Sequence, residues 1–311
     1  MARRRKGTPI HGWLILDKPV GPSSNGCVGK IRWLTGAAKV GHGGTLDPLA
    51  SGVLPIAFGE ATKTQAYAMD GHKTYEFTAR WGESTTTDDA EGDITARSDK
   101  RPSREEIERA LPVFTGTITQ VPPVYSAIKI DGERAYKRAR RDEEVTIEPR
   151  EVDVEALRLI DMPDDDHASF EMVCGKGTYV RALVRDLALH LGCEGHIRRL
   201  RRTAVGPFSI EKAVTLQAFE ENEGENAAAL LKQYLLPVET VLDDIPALAL
   251  TEQEANRLKH GMGIPVLPVA QRSPFRDIAQ GDVVQVMANG TLVALARISG
   301  GEIKPFRVMN I

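Results

Sequence analysis

The sequence predicts an α+β protein, one large domain followed by a small and mostly β one, on three observations. KTYEFTARW at 73–81 places Tyr75, Phe77 and Ala79 on alternate positions, the period of a half-buried strand. TYVRALVRDLALHLG at 178–192 spaces Val180, Leu183, Val184, Leu187 and Leu191 along one helical face and closes on Gly192. VVQVMANGTLVALARI at 283–298 folds two apolar runs about Asn289-Gly290, a hairpin signal. A chain of 311 residues exceeds the usual size of one compact domain, and the pattern changes near 245, so a division into 1–244 and 245–311 is expected.

GWLILDKP (12–19) is expected as a short buried strand ending at a proline, with Ser23 or Ser24 capping a helix through Val28, Ile31 and Leu34. VLPIAF (53–58) has strand character, and EATKTQAYAM (60–69) reads as a short helix. SREEIERAL (103–111) carries Ser103 and Glu106, a capping box. Pro122, Pro123 and the Asp131-Gly132 turn mark about 120–150 as an exposed insertion that carries its basic side chains outward. EVDVEALRLIDM (151–162) and ASFEMVCG (168–175) read as paired strands, and RRTAVGPFSI (201–210) as another. The polar stretch EENEGENAAAL (220–230) suits a loop leading to the boundary. Beyond it, ALALTEQEANRLKHG (247–261) is a strand and a capped helix. No internal repeat is visible.

No apolar stretch approaches a bilayer span, and the basic MARRRKGTPIHG lacks the apolar core of a secretory signal, so a cytoplasmic protein without membrane contact is expected. Cys27, Cys174 and Cys193 are odd in number and never spaced C-x-x-C, and the seven histidines are scattered; neither a disulfide framework nor a metal site is expected. The net charge is only -3, but the charges are segregated. Residues 129–141 hold six Lys/Arg against two acids, and 176–202 hold seven against two. Either run alone reads as readily as a solvated face; together with ARRRK they favour a phosphate-binding surface. The acids gather in TTTDDAEGD, MPDDDH and FEENEGEN, which read as exposed loops.

GKGT at 175–178 has Gly177 where a phosphate loop needs Ser or Thr after Lys176. The glycines of GHGGTLDPLASGVLPIAFG (41–59) lead into a strand instead of a helix, so the dinucleotide fingerprint is absent as well and no nucleotide cofactor is expected. Asp47 stands alone there, before Pro48. As turn chemistry it needs no function; kept ionised by an arginine, a lone carboxylate also serves as nucleophile or base. Arg181, at the start of the 178–192 helix, is a candidate for that arginine.

GHGGTLDPLASGVLPIAFGEATK, KTYEF, VPPVYSAIKIDGERAYKRAR, GTYVRAL and LRRTAVGPFSIEKAVTL, in this order over about 12–220, together resemble the bacterial tRNA pseudouridine-55 synthases, the TruB family. The resemblance implies a mixed, largely antiparallel sheet flanked by helices, a thumb at about 120–150 that closes over the T-loop of tRNA, and a C-terminal β-rich, PUA-like RNA-binding domain. It implies an isomerase that needs neither metal nor cofactor. A uridine of the T-stem-loop is flipped out, its N-glycosidic bond broken, and the base turned and rejoined through carbon; aromatic and phosphate contacts offset an unstacking cost of about a few kcal/mol.

Carried over motif by motif, Asp47 is the catalytic aspartate, acting as nucleophile at the sugar or the base, or as a base at the ribose. Tyr75 stacks on the flipped base and helps to move the C5 proton, and Arg181 pairs with the aspartate. Lys18 supports the active-site loop, His42 lies beside the substrate loop, Tyr179 is a second pocket aromatic, and Leu200 is an apolar contact near the base. By their own patterns Tyr75 and Leu200 read as core, Lys18 as surface and His42 as solvent-exposed. Gly43, where the family usually has Thr or another side chain, is expected to leave the loop freer; Asp142, where Gly is common, puts a negative charge into a basic segment. An RNA-binding chaperone and the catalytic subunit of guide-RNA pseudouridylases are the competing readings, and the ending FRVMNI lacks the Lys-rich tail often found in the latter. A monomer with no obligatory protein partner is expected, since no apolar heptad or matching patch is evident.

Overall fold

The structure, a computed structural model, describes residues 7–126, 128–130, 132–135, 138, 141, 143, 145–273 and 278–311; Asp131 and Asp142, which carry two of the expectations above, lie outside them. The chain opens with β1 (Gly12–Lys18), α1 (Ser24–Thr35), β2 (Val40–His42) and β3 (Ala50–Phe58). Next come α2 (Gln65–Asp70), β4 (Lys73–Trp81), the hairpin β5 (Glu83–Thr85) and β6 (Ile94–Arg97), α3 (Arg104–Ala110) and β7 (Gly116–Gln120). A second hairpin, β8 (Lys129–Ile130) and β9 (Glu133–Arg134), precedes the long β10 (Arg150–Asp164) and β11 (His167–Cys174). They are followed by α4 (Val180–His190), β12 (Gly195–Val205), β13 (Phe208–Ser209), β14 (Val214–Thr215), α5 (Leu216–Glu221) and α6 (Glu225–Tyr234). The C-terminal part holds β15 (Ala247–Ala249), α7 (Glu252–Lys259), β16 (Ile264–Pro265), α8 (Val266–Ala270), β17 (Val283–Ala288), β18 (Thr291–Ser299) and β19 (Glu302–Val308).

One sheet runs β14-β1-β3-β12-β4-β11-β10-β7, with β2 beside β3 and β13 beside β12. Among the described residues its parallel pairs are β1/β14 and β3/β12, and the other pairs are antiparallel. The expected mixed, largely antiparallel sheet therefore forms. A second sheet, β15-β17-β18-β19-β16, makes the C-terminal part. Its β17/β18 turn has Asn289 at φ 49 and Gly290 at φ 74, the left-handed pair a two-residue hairpin needs.

Burial explains the strand patterns. β1 and β3 are covered on both faces: Leu14, Leu16, Leu54 and Ile56 join the main core with Ile31, Leu187, Phe219 and Leu231. Trp13, Ile15, Val53 and Ala57 enter a second cluster with Leu292, Leu295 and Met309 of the C-terminal part. A strand buried on both sides has no polar face to alternate with, hence the unbroken apolar runs. β4 alternates because one face alone is apolar; Phe77 there stacks on Phe170 of β11 with ring centroids 5.3 Å apart.

Ser23, not Ser24, caps α1 by accepting from the Gly26 amide, and capping boxes start α3 (Ser103, Glu106) and α7 (Thr251, Glu254). Two expectations change. The stretch 220–230 is not a loop: α6 begins at Glu225 and buries Ala227 and Leu231, four apart, in the main core. Its alanine run has the highest helix propensity, and the apolar stripe outweighs the polar flank once a core face is available. EATKTQAYAM divides into a 3-10 turn over Gly59–Lys63 and the short α2. Among the described residues no helix is long and apolar enough to cross a membrane.

Candidate active site

A cleft of about 370 Å³ opens between the 44–50 loop, α2 and the first turn of α4, a volume within the ~300–1,000 Å³ of small-molecule sites. Asp47, Tyr75, Tyr179, Arg181 and Leu200 all line it, although loop, β4, α4 and β12 supply them separately. Asp47 precedes a tight turn closed by the Ala50 amide on the Asp47 carbonyl at 3.1 Å. Its side chain is 39% exposed and meets Arg181 Nη2 at 2.7 Å, whereas Arg181 is 4% exposed. Arg181 Nη1 donates to the Thr87 carbonyl at 2.8 Å and faces Asp89 Oδ2 at 3.4 Å; Nη2 also donates to the Tyr125 carbonyl at 2.9 Å. Each terminal nitrogen thus faces one carbonyl and one carboxylate. Turning the guanidinium away from Asp47 would strand buried donors, so the pair is held rigidly.

The loop around Asp47 is fastened from below. Lys18, read as a surface residue by its own pattern, is fully buried and donates to the carbonyls of Pro19 (2.8 Å), Pro48 (3.3 Å) and Ala50 (2.6 Å). Burial pushes its ammonium below the usual lysine range. Ser24 Oγ donates to the Leu46 carbonyl and accepts from the Leu46 amide, both at 2.8 Å. Buried Arg202 donates to the carbonyls of Val53 at 2.9 Å and Gly44 at 3.0 Å. Gly43 is not a source of freedom, contrary to expectation. Its amide donates to the Pro55 carbonyl at 2.8 Å, and a Cβ there would meet Ala68 Cβ at 2.9 Å and the Trp13 ring at 3.2 Å. Glycine at 43 allows close packing.

Tyr75 lies across from Arg202 in the β4/β12 register; burial pushes its phenol up, with Arg202 opposing, so the hydroxyl stays neutral. Tyr179 caps α4 with both backbone polar groups tied to the Gln120 amide, at 2.8 and 3.1 Å, and its ring lies under the Arg150 guanidinium at 5.1 Å. Leu200 is buried and pairs with Ala50 across β3 and β12. His42 is half-buried at the end of β2, not solvent-exposed, and does not line the cleft. Burial, then Arg202, lower its pKa, and its Nδ1 is buried with no hydrogen-bond partner among the described residues.

The charge runs are also revised. TTTDDAEGD, expected to be an exposed loop, buries Asp89 beside Arg181 and holds Asp88 on Arg185 at 3.0 Å. Nothing local announces this, because both partners lie nearly a hundred residues away. The 176–202 run is no uniform phosphate surface: Arg181 and Arg202 are buried, Arg201 pairs with Asp17 at 2.8 Å, and Lys176, Arg198 and Arg199 remain exposed. Arg202 could have been found, since it lies two residues from buried Leu200 on the same side of a strand. In the insertion, Arg141 donates to both carboxylate oxygens of Glu133, at 2.9 and 2.7 Å, so part of its charge is balanced internally. The three cysteines are buried and free, and among the described residues no group of three or more His, Cys, Asp or Glu could hold a metal ion.

Comparison with known proteins gives consistent matches. A model for the TruB family pseudouridylate synthase N-terminal domain matches residues 32–180, and one for the tRNA pseudouridylate synthase B C-terminal domain matches 181–243. A Rhodospirillum rubrum protein named tRNA pseudouridine synthase B is 51% identical over 311 residues, covering 100% of both chains. A Caulobacter sp. (strain K31) protein of the same name is 51% identical over 312 residues, again covering 100% of both. Among solved structures, a chain of a Cbf5-Nop10-Gar1 complex matches with TM-score 0.72 and 25% identity, covering 99% of this chain and 91% of that one. A chain of the archaeal box H/ACA sRNP Nop10-Cbf5 complex, 23% identical at TM-score 0.71 over 99% of this chain and 92% of that one, shares the fold.

Proposed function

This chain belongs to the TruB family of pseudouridylate synthases and is a tRNA pseudouridine synthase, and from that premise we propose that it isomerises uridine 55 in the T-loop. The observation that carries this reading is the cleft that joins one carboxylate, Asp47, to a buried arginine and to Tyr75. A flipped nucleotide finds the Tyr75 ring and Leu200 as apolar surfaces for its base. Asp47 drives cleavage of the N1–C1′ bond, as nucleophile or as base at the ribose, and Arg181 balances its charge. The base turns, C5 bonds to C1′, C5 gives up its proton and N1 gains one; product and substrate are isomers. Tyr75, its phenol kept neutral by burial, holds the base and helps that proton to leave as a relay, passing its own hydroxyl proton to water as it takes the one from C5.

In this reading Lys18 keeps the 46–50 loop in place, Tyr179 completes the pocket wall, and His42 reaches the substrate loop as RNA enters. The insertion at about 120–150 is the thumb, and residues 245–311 form the PUA-like RNA-binding domain. The protein works in the cytoplasm as a monomer without an obligatory protein partner. Purified protein alone, given a T-stem-loop RNA tritiated at uridine C5, is expected to release tritium. Asp47→Asn is expected to abolish release while leaving tRNA affinity within about a few-fold. Turnover by that variant would remove Asp47 from the chemistry, and dependence on a guide RNA or added subunit would overturn the stand-alone reading.

A further inference from the structure

Two arginines one turn apart on α4 grip the same two pieces of chain. Arg181 holds the 85–93 loop through Thr87 and Asp89, and holds the Tyr125 carbonyl with Nη2, the nitrogen that also meets Asp47. Arg185, four residues on and so on the same face, repeats the pattern. Its Nη1 donates to Asp88 Oδ2 at 3.0 Å, its Nη2 to the Val121 carbonyl at 2.8 Å, and its Nε to Asp186 at 2.9 Å. Val121 is the first residue after β7, and Gln120 before it is the residue tied to Tyr179. The stalk Val121-Pro122-Pro123-Val124-Tyr125, stiffened by two prolines, therefore lies along α4 between two guanidinium anchors. Asp88 is itself fixed: its backbone is left-handed at φ 59, and its carbonyl accepts from the Ile197 amide of β12 at 3.1 Å.

We propose that Arg185 and Asp88 form a positioning pair that fixes the stalk of the insertion against the catalytic helix, so that the Tyr125 carbonyl keeps Arg181 Nη2 aimed at Asp47. The inference rests on the reading of Asp47 as the catalytic carboxylate. Arg181 Nη2 divides its hydrogens between Tyr125 and Asp47, so a displaced stalk re-aims the donor that faces Asp47; a misplacement of about 1 Å is enough to cost ~10²-fold in rate. Arg185 prevents that drift at the root of the stalk, and Asp88 holds Arg185.

The test measures single-turnover loss of the uridine C5 proton and tRNA affinity, with Asp47→Asn as the chemistry control. Arg185→Gln and Asp88→Asn are made singly and together, asparagine being at home in a left-handed backbone. Each single variant is expected to slow the chemical step about tenfold or more while the tRNA Kd stays within about threefold. The double variant is expected to be no slower than the worse single one, as for residues that act as a unit. Arg185→Lys, whose single ammonium lacks the planar fork that reaches Asp186, Asp88 and the Val121 carbonyl from three separate nitrogens, is expected not to restore the rate. Rates within about twofold of wild type, additive losses, or losses that merely follow a fall in Tm would overturn the proposal. Turnover by Asp47→Asn would bring down both readings, whereas an inert Asp47→Asn beside wild-type rates at 88 and 185 removes this one alone.

Discussion

At the scale of single residues, the site depends on charged groups that the chain has buried and then satisfied. Lys18 illustrates the cost of undoing this: Lys18→Met keeps much of the apolar stem but leaves the Pro48 and Ala50 carbonyls without their donor. It is expected to lower stability by about 1–3 kcal/mol and to loosen Asp47, which a denaturation curve and tritium release would register together. His196, buried with Nδ1 at 2.7 Å from the Glu83 carbonyl, and His42 both have pKa values lowered chiefly by burial. Unfolded histidine binds a proton near its ordinary value of 6.5, while the folded groups wait for lower pH. Their contribution is therefore complete above 6.5 and is lost as pH falls through the lowered folded values. Urea unfolding at about pH 7.5 and about pH 5.5 is expected to show a smaller acid loss in His196→Gln than in wild type; equal losses would remove His196 as the cause. The aspartate and its neighbours were legible as a motif, but Asp88 and Arg185 were not, since a pair formed across the fold leaves no spacing to read.

At the scale of elements, close approach between strands decides more than propensity. Gly52, at φ 101, lets β3 run parallel to β12; a Cβ there would come within 2.1 Å of the Arg202 carbonyl oxygen. Gly52→Ala is expected to cost about 1–3 kcal/mol or more through overpacking and strain, and to pull Arg202 off the Gly44 carbonyl. A lower Tm with reduced turnover is the outcome to measure, and an unchanged Tm would show that the strands can part freely. Helix α4 was readable because its apolar residues repeat on one face, and α7 because its capping box is local. Helix α6 was misread because short, polar and alanine-rich segments reveal a buried stripe only when something is there to cover it.

At the scale of the whole molecule, the two sheets share a seam. Leu292, Leu295 and Met309 of the C-terminal part join Trp13, Val53 and Phe208 of the main sheet, and Trp13 Nε1 donates to the Val238 carbonyl at 3.2 Å. Leu295→Ala is expected to destabilise by about 2–5 kcal/mol, in one transition seen alike by tryptophan fluorescence and by calorimetry; separate transitions would mean that the seam carries little. By itself the sequence determined what is local or periodic: the strand and helix patterns, the caps, the Asn-Gly hairpin, and the linked motifs that single out Asp47, Tyr75 and Arg181. The tertiary structure alone decided which charges are buried. Lys18, Asp89 and Arg181 are ionisable groups whose place inside is set by partners far along the chain. A buried charge is tolerable only where folding brings its hydrogen-bond partners to it, and that meeting is written in no single stretch of sequence.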